Sequence, residues 1–522
     1  MKQILTAMLI LCLVLGLTPV YADDLMYDDG MTYATGLPIT KEVVTIDVLM
    51  NPSSIRPDMD KTQVLDWLEE KTNIRFNVKY VSSTEEVALL FASGDLPDMT
   101  MGIGPTTSQM SDAIDAGWIV NLDEYMEFMP SVKAFFERNP FGYAVSKTQG
   151  SLYSLPYMDI GPFIRDSLCI NTTWLKEAGV ERVPTTIDEF TDAMRAVRAA
   201  SGKGNIPEDC HPIYFKYANG IAYGELDLIG QWGLPITSAD YCCVYDGKVV
   251  NQALNPQIKE PLKWLQQMYL EGLIMPEVFT DDWSTAISRM QAVPSAVGYY
   301  NGAMVYNAAD FEIMPALKGG HVRPAIRSGN PKYASILYAN CPYPVAIARL
   351  YEYITSDIEA HLTISKGMED VIWHYSEADD LYHEDIAETE IEAYAAASQK
   401  VGLVNTWFSL RDNDSWYSKI YNTALDRYGS SEWAMANIYG PSGQVLDDSH
   451  TYYGAELSGD DLERWNDLST EIDNLRKTTF ARWISTNADI EAEWDEYVQN
   501  MQDIGCEEWL SLKQRAYDML ME

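Results

Sequence analysis

The residue types that most often carry catalysis are present in this chain, but their spacing matches no familiar catalytic motif. Its six histidines are widely separated, and the HExxH, GxSxG, P-loop and paired CxxC patterns do not occur. His374 and His383 lie in the acidic stretch WHYSEADDLYHED, at a spacing that fits no standard metal site. We therefore expect a solvated acidic loop there, and we predict neither a metal site nor a cofactor.

Carboxylates and aromatic rings are the remaining candidates for chemistry or binding. Carboxylate pairs are frequent in a chain with 77 acidic residues, so the sequence alone does not decide for or against a glycosidase acid–base pair. The chain also has 14 Trp and 33 Tyr against 13 Phe. Tyr and Trp combine an apolar ring face with a hydrogen-bonding group, which suits the faces and hydroxyl rims of sugars. Most of these rings must nevertheless serve ordinary packing.

Charge and cysteine content narrow the class of partner. The formal net charge of −40 disfavours nucleic acids and anionic membranes, because both require basic patches. A polyanionic ligand is disfavoured too, unless a local basic pocket binds it. Six cysteines follow residue 22, scattered except for the neighbours Cys242 and Cys243, so we expect most to be buried thiols. The sequence does not decide whether one long-range disulfide forms.

The first 22 residues predict a secretory signal peptide. A single lysine precedes an apolar run that is shorter than a membrane span, and the ending Val-Tyr-Ala suits cleavage after Ala22. A membrane anchor is the alternative, whereas the large Leu11 before Cys12 disfavours lipid attachment. No later apolar run reaches about 18 residues, so we expect a soluble mature chain outside the cytoplasm, either extracellular, periplasmic or at the cell surface.

The mature chain alternates strand and helix patterns, and its 522 residues indicate two or more compact units. Residues 23–41 are polar and predict an exported leader. The β-branched run from Glu42 to Met50 then opens a β-α-β-α-β order, which implies a parallel α/β sheet. Gly94 ends the second helix, and small residues follow at Met101–Gly104, a strand end of the kind where ligands bind. A similar α/β pattern recurs after residue 167, and the end from about Leu457 is mostly helical.

Seven segments spread over most of the mature chain carry a family resemblance. They are DWLEEKTNIRF, LLFASGDLPDM, AGWIVNLDEYM, GSLYSLPY, CINTTWLKEAGVERVPTTIDEF, YDGKVVNQALNPQIKEPLKWLQQMYLEGLIMPE and AEWDEYVQNMQDIGCEEWLSLKQRAYD. Together they resemble the bacterial extracellular solute-binding proteins of ABC importers, in particular the large oligosaccharide-type, lipoprotein-like group. The resemblance is weakest over about 376–453, whose role stays open.

The resemblance implies an α/β fold with two lobes, the type II clamshell of periplasmic binding proteins, in which each lobe has a mainly parallel sheet flanked by helices. It places residues 42–159 and 301–343 in the first lobe, and residues 163–300 and 344–522, including the C-terminal helices, in the second. The lobes would close on a ligand by hinge motion.

The function that the resemblance implies is the capture of an oligosaccharide and its delivery to the permease subunits of an ABC transporter by a monomer without enzymatic activity. A binder of peptides or other polar solutes with the same fold is the alternative, and a secreted carbohydrate-active enzyme is the least favoured. The identity, linkage and length of the glycan stay open, as does the mode of surface attachment.

One departure from the family concerns calcium. Many relatives carry a calcium loop after the helix that matches DEFTDAMRAVRAA, whereas this chain has SGKGNIPE at Ser201–Glu208. Calcium prefers six to eight oxygen ligands, several of them charged, and most of the required carboxylates are missing here. We therefore predict no calcium at this loop.

Seven residues are predicted to contact the ligand. Five lie in the loop after the first strand or at the expected crossings between lobes: Arg56, Tyr157, Asp159, Tyr300 and Asn301. Trp232 and Trp407 are flanked by glycine or polar residues, which suits stacking platforms. We expect at least two of these aromatics to stack on sugar rings.

Overall fold

The computed structural model describes residues 26–50, 63–81, 84–160, 164, 166–216, 224–302, 305–324, 335–386, 393, 396–397, 409–412, 420–421, 431–455, 457 and 459–521. These residues form two α/β lobes, each around its own large hydrophobic core. The predicted two-lobed α/β clamshell is confirmed. None of the described helices is both long and apolar enough to cross a membrane.

The strands are short, and we number them in chain order. They are β1 (Val44–Met50), β2 (Ile74–Tyr80), β3 (Met99–Met101), β4 (Tyr157–Ile160), β5 (Ser167–Asn171), β6 (Cys242–Tyr245), β7 (Lys248–Asn251), β8 (Tyr299–Gly302), β9 (Phe311–Ile313), β10 (Ser335–Leu337), β11 (Trp373–Ser376), β12 (Leu381–Glu384), β13 (Ser409–Asp412) and β14 (Ile420–Tyr421).

The helices are numbered in the same way. They are α1 (Gln63–Thr72), α2 (Thr84–Ser93), α3 (Thr107–Asp115), α4 (Pro130–Arg138), α5 (Pro140–Ser146), α6 (Thr172–Glu177), α7 (Ile187–Ala199), α8 (Gly224–Gly230), α9 (Lys259–Leu270), α10 (Trp283–Gln291), α11 (Pro344–Ser356), α12 (Ile358–Lys366), α13 (Ser431–Ala434), α14 (Gly459–Ser485), α15 (Ile490–Ile504) and α16 (Cys506–Met521).

The first lobe is built on a four-stranded sheet with the order β10-β3-β1-β2. β1 pairs in parallel with β2 and β3, as the β-α-β-α-β pattern predicts, and β10 joins β3 in the antiparallel direction. Ile46 and Val48 of β1 are buried in the core. Gly94 ends α2 with a φ of +72°, a conformation that glycine adopts without steric cost.

Residues 26–41 belong to the first lobe, whereas we predicted a separate leader over 23–41. Ile39 is fully buried, and its N–H donates to the carbonyl of Thr72 at 3.0 Å. The ring of Tyr27 meets that of Phe128 edge to face, with centroids 4.6 Å apart. The polar composition of this stretch concealed the few side chains that anchor it to the lobe.

The second lobe differs from the expectation of a mainly parallel sheet. Its described sheet has the order β8-β5-β9, and both outer strands run antiparallel to β5. β5 is buried along its whole length, and its three central residues, Leu168, Cys169 and Ile170, are apolar as such burial requires. The chain enters this lobe along β5 and returns toward the first lobe along β8 and β9, so these strands must run in opposite directions.

The chain passes between the lobes twice, and two bridges bound these crossings. An antiparallel bridge joins Leu155 to Ser335 at the first lobe, and a second one joins Ile164 to Pro324 at the second lobe. The first crossing therefore begins after Leu155, and the second begins after Pro324.

These crossings change the predicted boundaries of the lobes. Residues 301–324 stay in the second lobe, because β8 and β9 pair with β5, whereas we assigned them to the first. α11 and α12 pack into the first core, although we assigned residues from 344 onward to the second lobe. The sequence pattern located the ends of strands correctly, but it carried no information about which strand pairs with which.

The stretch WHYSEADDLYHED forms the hairpin β11–β12 instead of the expected loop. His374 and His383 face each other across it, with stacked rings 5.3 Å apart, and each has an aspartate partner. In the described ranges, no group of three or more His, Cys, Asp or Glu side chains is arranged to hold a metal ion.

Candidate functional site

The first crossing strand, β4, brings together two distant parts of the chain. It pairs in parallel with β13, so that Tyr157 lies opposite Ser409 and Asp159 lies opposite Arg411. Trp407 precedes β13 by two residues and lies outside the described residues, as does Arg56. Two of the predicted contact positions, Tyr157 and Asp159, thus belong to one strand pair at the crossing. Arg411 is a position that the sequence did not single out, since its segment lacks the family resemblance.

Tyr300 and Asn301 are neighbours on β8, but their side chains have different surroundings. Tyr300 is fully buried, and its ring packs on Phe311 with centroids 5.0 Å apart. Its hydroxyl accepts the N–H of Tyr306 at 2.9 Å, and burial raises its pKa well above the ordinary value. Tyr300 therefore packs in the core, whereas Asn301 is only partly buried. This burial argues against the predicted stacking role of Tyr300.

Asn301 lies near the end of β8 that meets the crossing. It is opposite Leu168, and Gly302 is opposite Ser167, the first residue of β5. In the described part of the chain, neither polar atom of its amide has a hydrogen-bond partner, although both are shielded from solvent. Such an amide is available to a ligand.

Trp232 lies just after α8 and is 39% exposed. Its ring meets Trp264 at an angle, with centroids 6.3 Å apart, while the Trp264 indole N–H donates to Thr191 at 2.9 Å. One part of the Trp232 ring therefore packs on Trp264 while another part is exposed to solvent. This arrangement is compatible with the predicted stacking platform.

A group of charged side chains lies at the same end of the second lobe as Asn301. Arg323 directly precedes the second crossing, and its Nε and Nη2 donate to the two oxygens of Asp227 at 2.6 and 3.0 Å. Nη2 also lies 3.5 Å from Oδ2 of Asp166, the residue before β5. Burial opposes the charge of Arg323, but these carboxylates hold its pKa above the ordinary value. The pairs fasten α8 to the two crossing segments.

Glu225 is the first acidic residue of α8 and is fully buried. Burial raises its pKa to about 8, while Arg476 and Arg323 act in the opposite direction and Asp227 adds to the rise. No sequence pattern singled out Glu225, because one acidic side chain among 77 is not distinctive.

Strand directions place this group at the crossing end of the lobe. β5 starts at the crossing, and β8 runs back toward it. Residues 213–216 run parallel to β8, and α8 follows them, with the Gly224 N–H donating to the Lys216 carbonyl at 3.3 Å. The crossing end of the second lobe thus presents hydrogen-bonding groups from three separate chain segments.

A sequence model of the bacterial extracellular solute-binding proteins matches residues 52–360. The chain belongs to this family. Over 516 residues it is 22% identical to the fructooligosaccharide ABC transporter substrate-binding protein FusA of Streptococcus pneumoniae serotype 4, which covers 94% of this chain and 92% of FusA.

Solved structures of similar proteins share the fold of this solute-binding protein. The S. pneumoniae FusA structure in complex with kestose has a TM-score of 0.75 at 22% identity, covering 92% of this chain and 99% of FusA. A protein of Bifidobacterium longum infantis, described as an HMO-binding, ABC-transporter-associated solute-binding protein, has a TM-score of 0.75 at 17% identity. That match covers 91% of this chain and 98% of the other. These relatives are named as binding proteins, not as enzymes.

In this solute-binding protein, protein groups close the loop at Ser201–Glu208. The Asn205 N–H and Nδ2 donate to the two carboxylate oxygens of Glu177, at 2.9 and 2.8 Å. Gly204 has a φ of +56°, a backbone conformation that favours glycine, and a Cβ there would meet the same carboxylate. The carboxylate of Glu177 thus binds the loop directly. The absence of calcium here stays a prediction.

Proposed function

We propose that this protein captures an oligosaccharide between its two lobes and delivers it to the permease of an ABC transporter, without catalysing a reaction. Family membership and the clamshell fold support a role in solute capture. The observation that carries the proposal is the similarity to FusA, named for fructooligosaccharides, because it extends over 94% of the chain and includes both lobes.

The proposed site lies where the crossing segments meet the second lobe. The backbone of β4 supplies Tyr157 and Asp159, the segment before β13 supplies Trp407, and Asn301 lies at the end of β8. Stacking of a sugar ring on an aromatic platform would contribute about 1 kcal/mol. Each neutral hydrogen bond would contribute about 0.5–1.5 kcal/mol net.

Arg56 and Trp232 complete the proposed set of contacts. Trp232 is offered as a second platform because part of its ring is open. We no longer include Tyr300, since its ring is enclosed by the core.

Location and assembly belong to the same proposal. The predicted signal peptide over residues 1–22 would export the chain, which fits a family described as extracellular. We propose that the mature protein acts as a monomer.

A thermal-shift screen with neutral glycans, acidic glycans and short peptides tests the proposal. A glycan at about 100 times its dissociation constant should stabilise the protein by about 2.7 kcal/mol. Release of reducing ends during incubation would instead indicate an enzyme. Stabilisation by peptides with none by any glycan would contradict the proposal and favour a peptide binder of the same fold.

A further inference from the structure

Buried polar atoms without partners collect at the crossing end of the second lobe. In the described ranges, neither carboxylate oxygen of Glu225 has a hydrogen-bond partner of good geometry, and the same holds for Oγ of Ser167 and both amide atoms of Asn301, although the Glu225 backbone and the Tyr299 hydroxyl lie close to two of these groups. Glu225 and Ser167 are 0% exposed. Folded proteins rarely leave buried polar atoms unpaired, so this concentration indicates a place that a polar ligand or ordered water occupies.

These residues belong to one locality. Ser167 faces Gly302 in the sheet, directly beside Asn301. Glu225 is close enough to Arg323 and Asp227 for their charges to act on it, and Asp227 also acts on Tyr299 of the same strand as Asn301. The unpaired atoms thus come from β5, β8 and α8, all at the crossing.

The cations of this locality already have carboxylate neighbours. Arg323 is paired with Asp227 and lies near Asp166. Lys216, at the end of the segment parallel to β8, is 9% exposed; burial lowers its pKa, and Asp282 acts in the opposite direction. Arg476, which also acts on Glu225, is paired with Asp473. Four carboxylates therefore lie near three cations, before Glu225 is considered, and the locality carries a net negative charge.

We propose that Glu225, Asn301 and Ser167 form a subsite that binds hydroxyl groups of a neutral glycan and selects against acidic glycans. This inference rests on the proposed function and names the class of sugar. A carboxamide, a hydroxyl and a protonated carboxyl group each both donate and accept hydrogen bonds, as sugar hydroxyls do. The raised pKa of Glu225, about 8, keeps its carboxyl group protonated at neutral pH.

Acidic sugars would meet two obstacles in this subsite. A uronate or sulfate needs a cation, but Arg323 can turn toward it only by giving up its two hydrogen bonds to Asp227. The surplus carboxylates would also repel the ligand, and such repulsion is an effective source of specificity.

The test compares neutral and acidic oligosaccharides of equal length by isothermal titration calorimetry on the full mature chain. Kestose, maltotriose and a neutral milk trisaccharide form one arm, and trigalacturonate and sialyllactose form the other. The wild-type protein should bind its best neutral glycan at least about tenfold more tightly than any acidic one.

Substitutions in the subsite then test which residues bind the neutral glycan. Glu225→Ala and Asn301→Ala should each weaken binding of the best neutral glycan by about tenfold. Glu225→Gln keeps the shape and both hydrogen-bonding functions, so it should stay within about threefold of wild type. Gln499→Ala, on the exposed surface of α15, serves as the matched control and should bind like wild type.

Two results would overturn the subsite: equal affinity for acidic and neutral glycans, or wild-type affinity in both alanine variants with melting curves that confirm folding. If Glu225→Ala does not fold, the affinity of Asn301→Ala and the wild-type comparison of neutral with acidic glycans still test the subsite. Binding of peptides without binding of any glycan would instead overturn the proposed function, and the subsite with it.

Discussion

Two buried charged groups of the second lobe contrast in how completely they are paired. Lys513 of α16 is 2% exposed, and its Nζ lies 2.6 Å from Asp240. The rings of Tyr452, Trp509 and Trp465 surround the ammonium group at 4.1, 4.8 and 5.5 Å. Asp240 also accepts hydrogen bonds from a serine hydroxyl and a backbone N–H. This group is saturated by its own neighbours.

The group around Glu225 is equally buried but incompletely paired. Arg323 and Asp227 satisfy each other, while in the described residues Glu225 and Asn301 keep unpaired atoms next to the crossing. A fully paired group stabilises the fold, because all its hydrogen-bonding atoms already have partners within the protein. Unpaired polar groups beside a hinge are instead available to bind a ligand. Variants of the first group should therefore change stability, and variants of the second should change binding and its pH response.

The largest expected effect is on the saturated group. Asp240→Asn keeps the shape of the side chain but leaves the buried ammonium of Lys513 without its counter-charge, which should cost about 3–5 kcal/mol of unfolding free energy. Urea denaturation measures it. The double variant Asp240→Asn, Lys513→Met should recover much of the loss. Unchanged stability of Asp240→Asn would show that the pair does not stabilise the fold.

The pH dependence of stability should separate the two groups. Glu225 has a pKa of about 8 in the folded protein, above its ordinary value near 4.5, so the stability that its protonation contributes is complete below pH 4.5 and is lost as the pH rises through 8. Glu225→Gln should remove that decline, which amounts to at most roughly 1.4 kcal/mol for each pH unit crossed. Denaturation of both proteins at pH 5 and pH 8.5 tests this, and parallel declines would contradict it.

Asp240 should make the stability depend on pH in the acidic range. Burial works against ionisation of Asp240, but Lys513 holds its pKa at about 2. Its contribution to stability is therefore present above pH 4 and is lost as the pH falls toward 2. Asp240→Asn should flatten this acidic limb and leave the limb between pH 5 and 8.5 unchanged.

The two aromatic positions should differ in whether their loss affects binding or stability. Trp232→Ala should weaken glycan binding by about 1–2 kcal/mol with little change in melting temperature, since the ring is partly open. Tyr300→Ala should instead lower stability by about 3–5 kcal/mol, because it empties a core position. Calorimetry and melting curves on both variants separate the roles. Intact stability with lost binding in Tyr300→Ala would restore its predicted contact role.

The smallest effect concerns the loop at Ser201–Glu208. Adding calcium or a chelator should leave the melting temperature unchanged, because Glu177 already binds Asn205 in the loop. Glu177→Ala should cost about 1 kcal/mol through the two lost hydrogen bonds. A calcium-dependent rise in melting temperature that disappears when the loop is altered would contradict this.

Local features of the fold were predictable from the sequence, because they depend on neighbouring residues. The parallel pairing around β1 and the positive φ of Gly94 follow from apolar patterning and helix termination. The N-cap at Thr186 was likewise predictable, and its hydroxyl accepts the Glu189 N–H at 3.2 Å.

Nonlocal features were not predictable in the same way. The antiparallel joining of β9 to β5 decides that residues 301–324 stay in the second lobe, and no local pattern reports it. Ile39 and Tyr27 anchor a largely polar segment to the first lobe, and the overall composition of the segment does not reveal these few contacts. Glu225 gains its importance only from burial, so its chemistry follows from the tertiary fold.

A crystal structure with the glycan that stabilises the protein most in the thermal-shift screen tests the central claim most directly. We predict a neutral oligosaccharide between the lobes, in contact with Asn301 and the first turn of α8. A glycan bound only on an outer surface, or one held by the crossing segments with both oxygens of Glu225 turned away from it, would contradict the account.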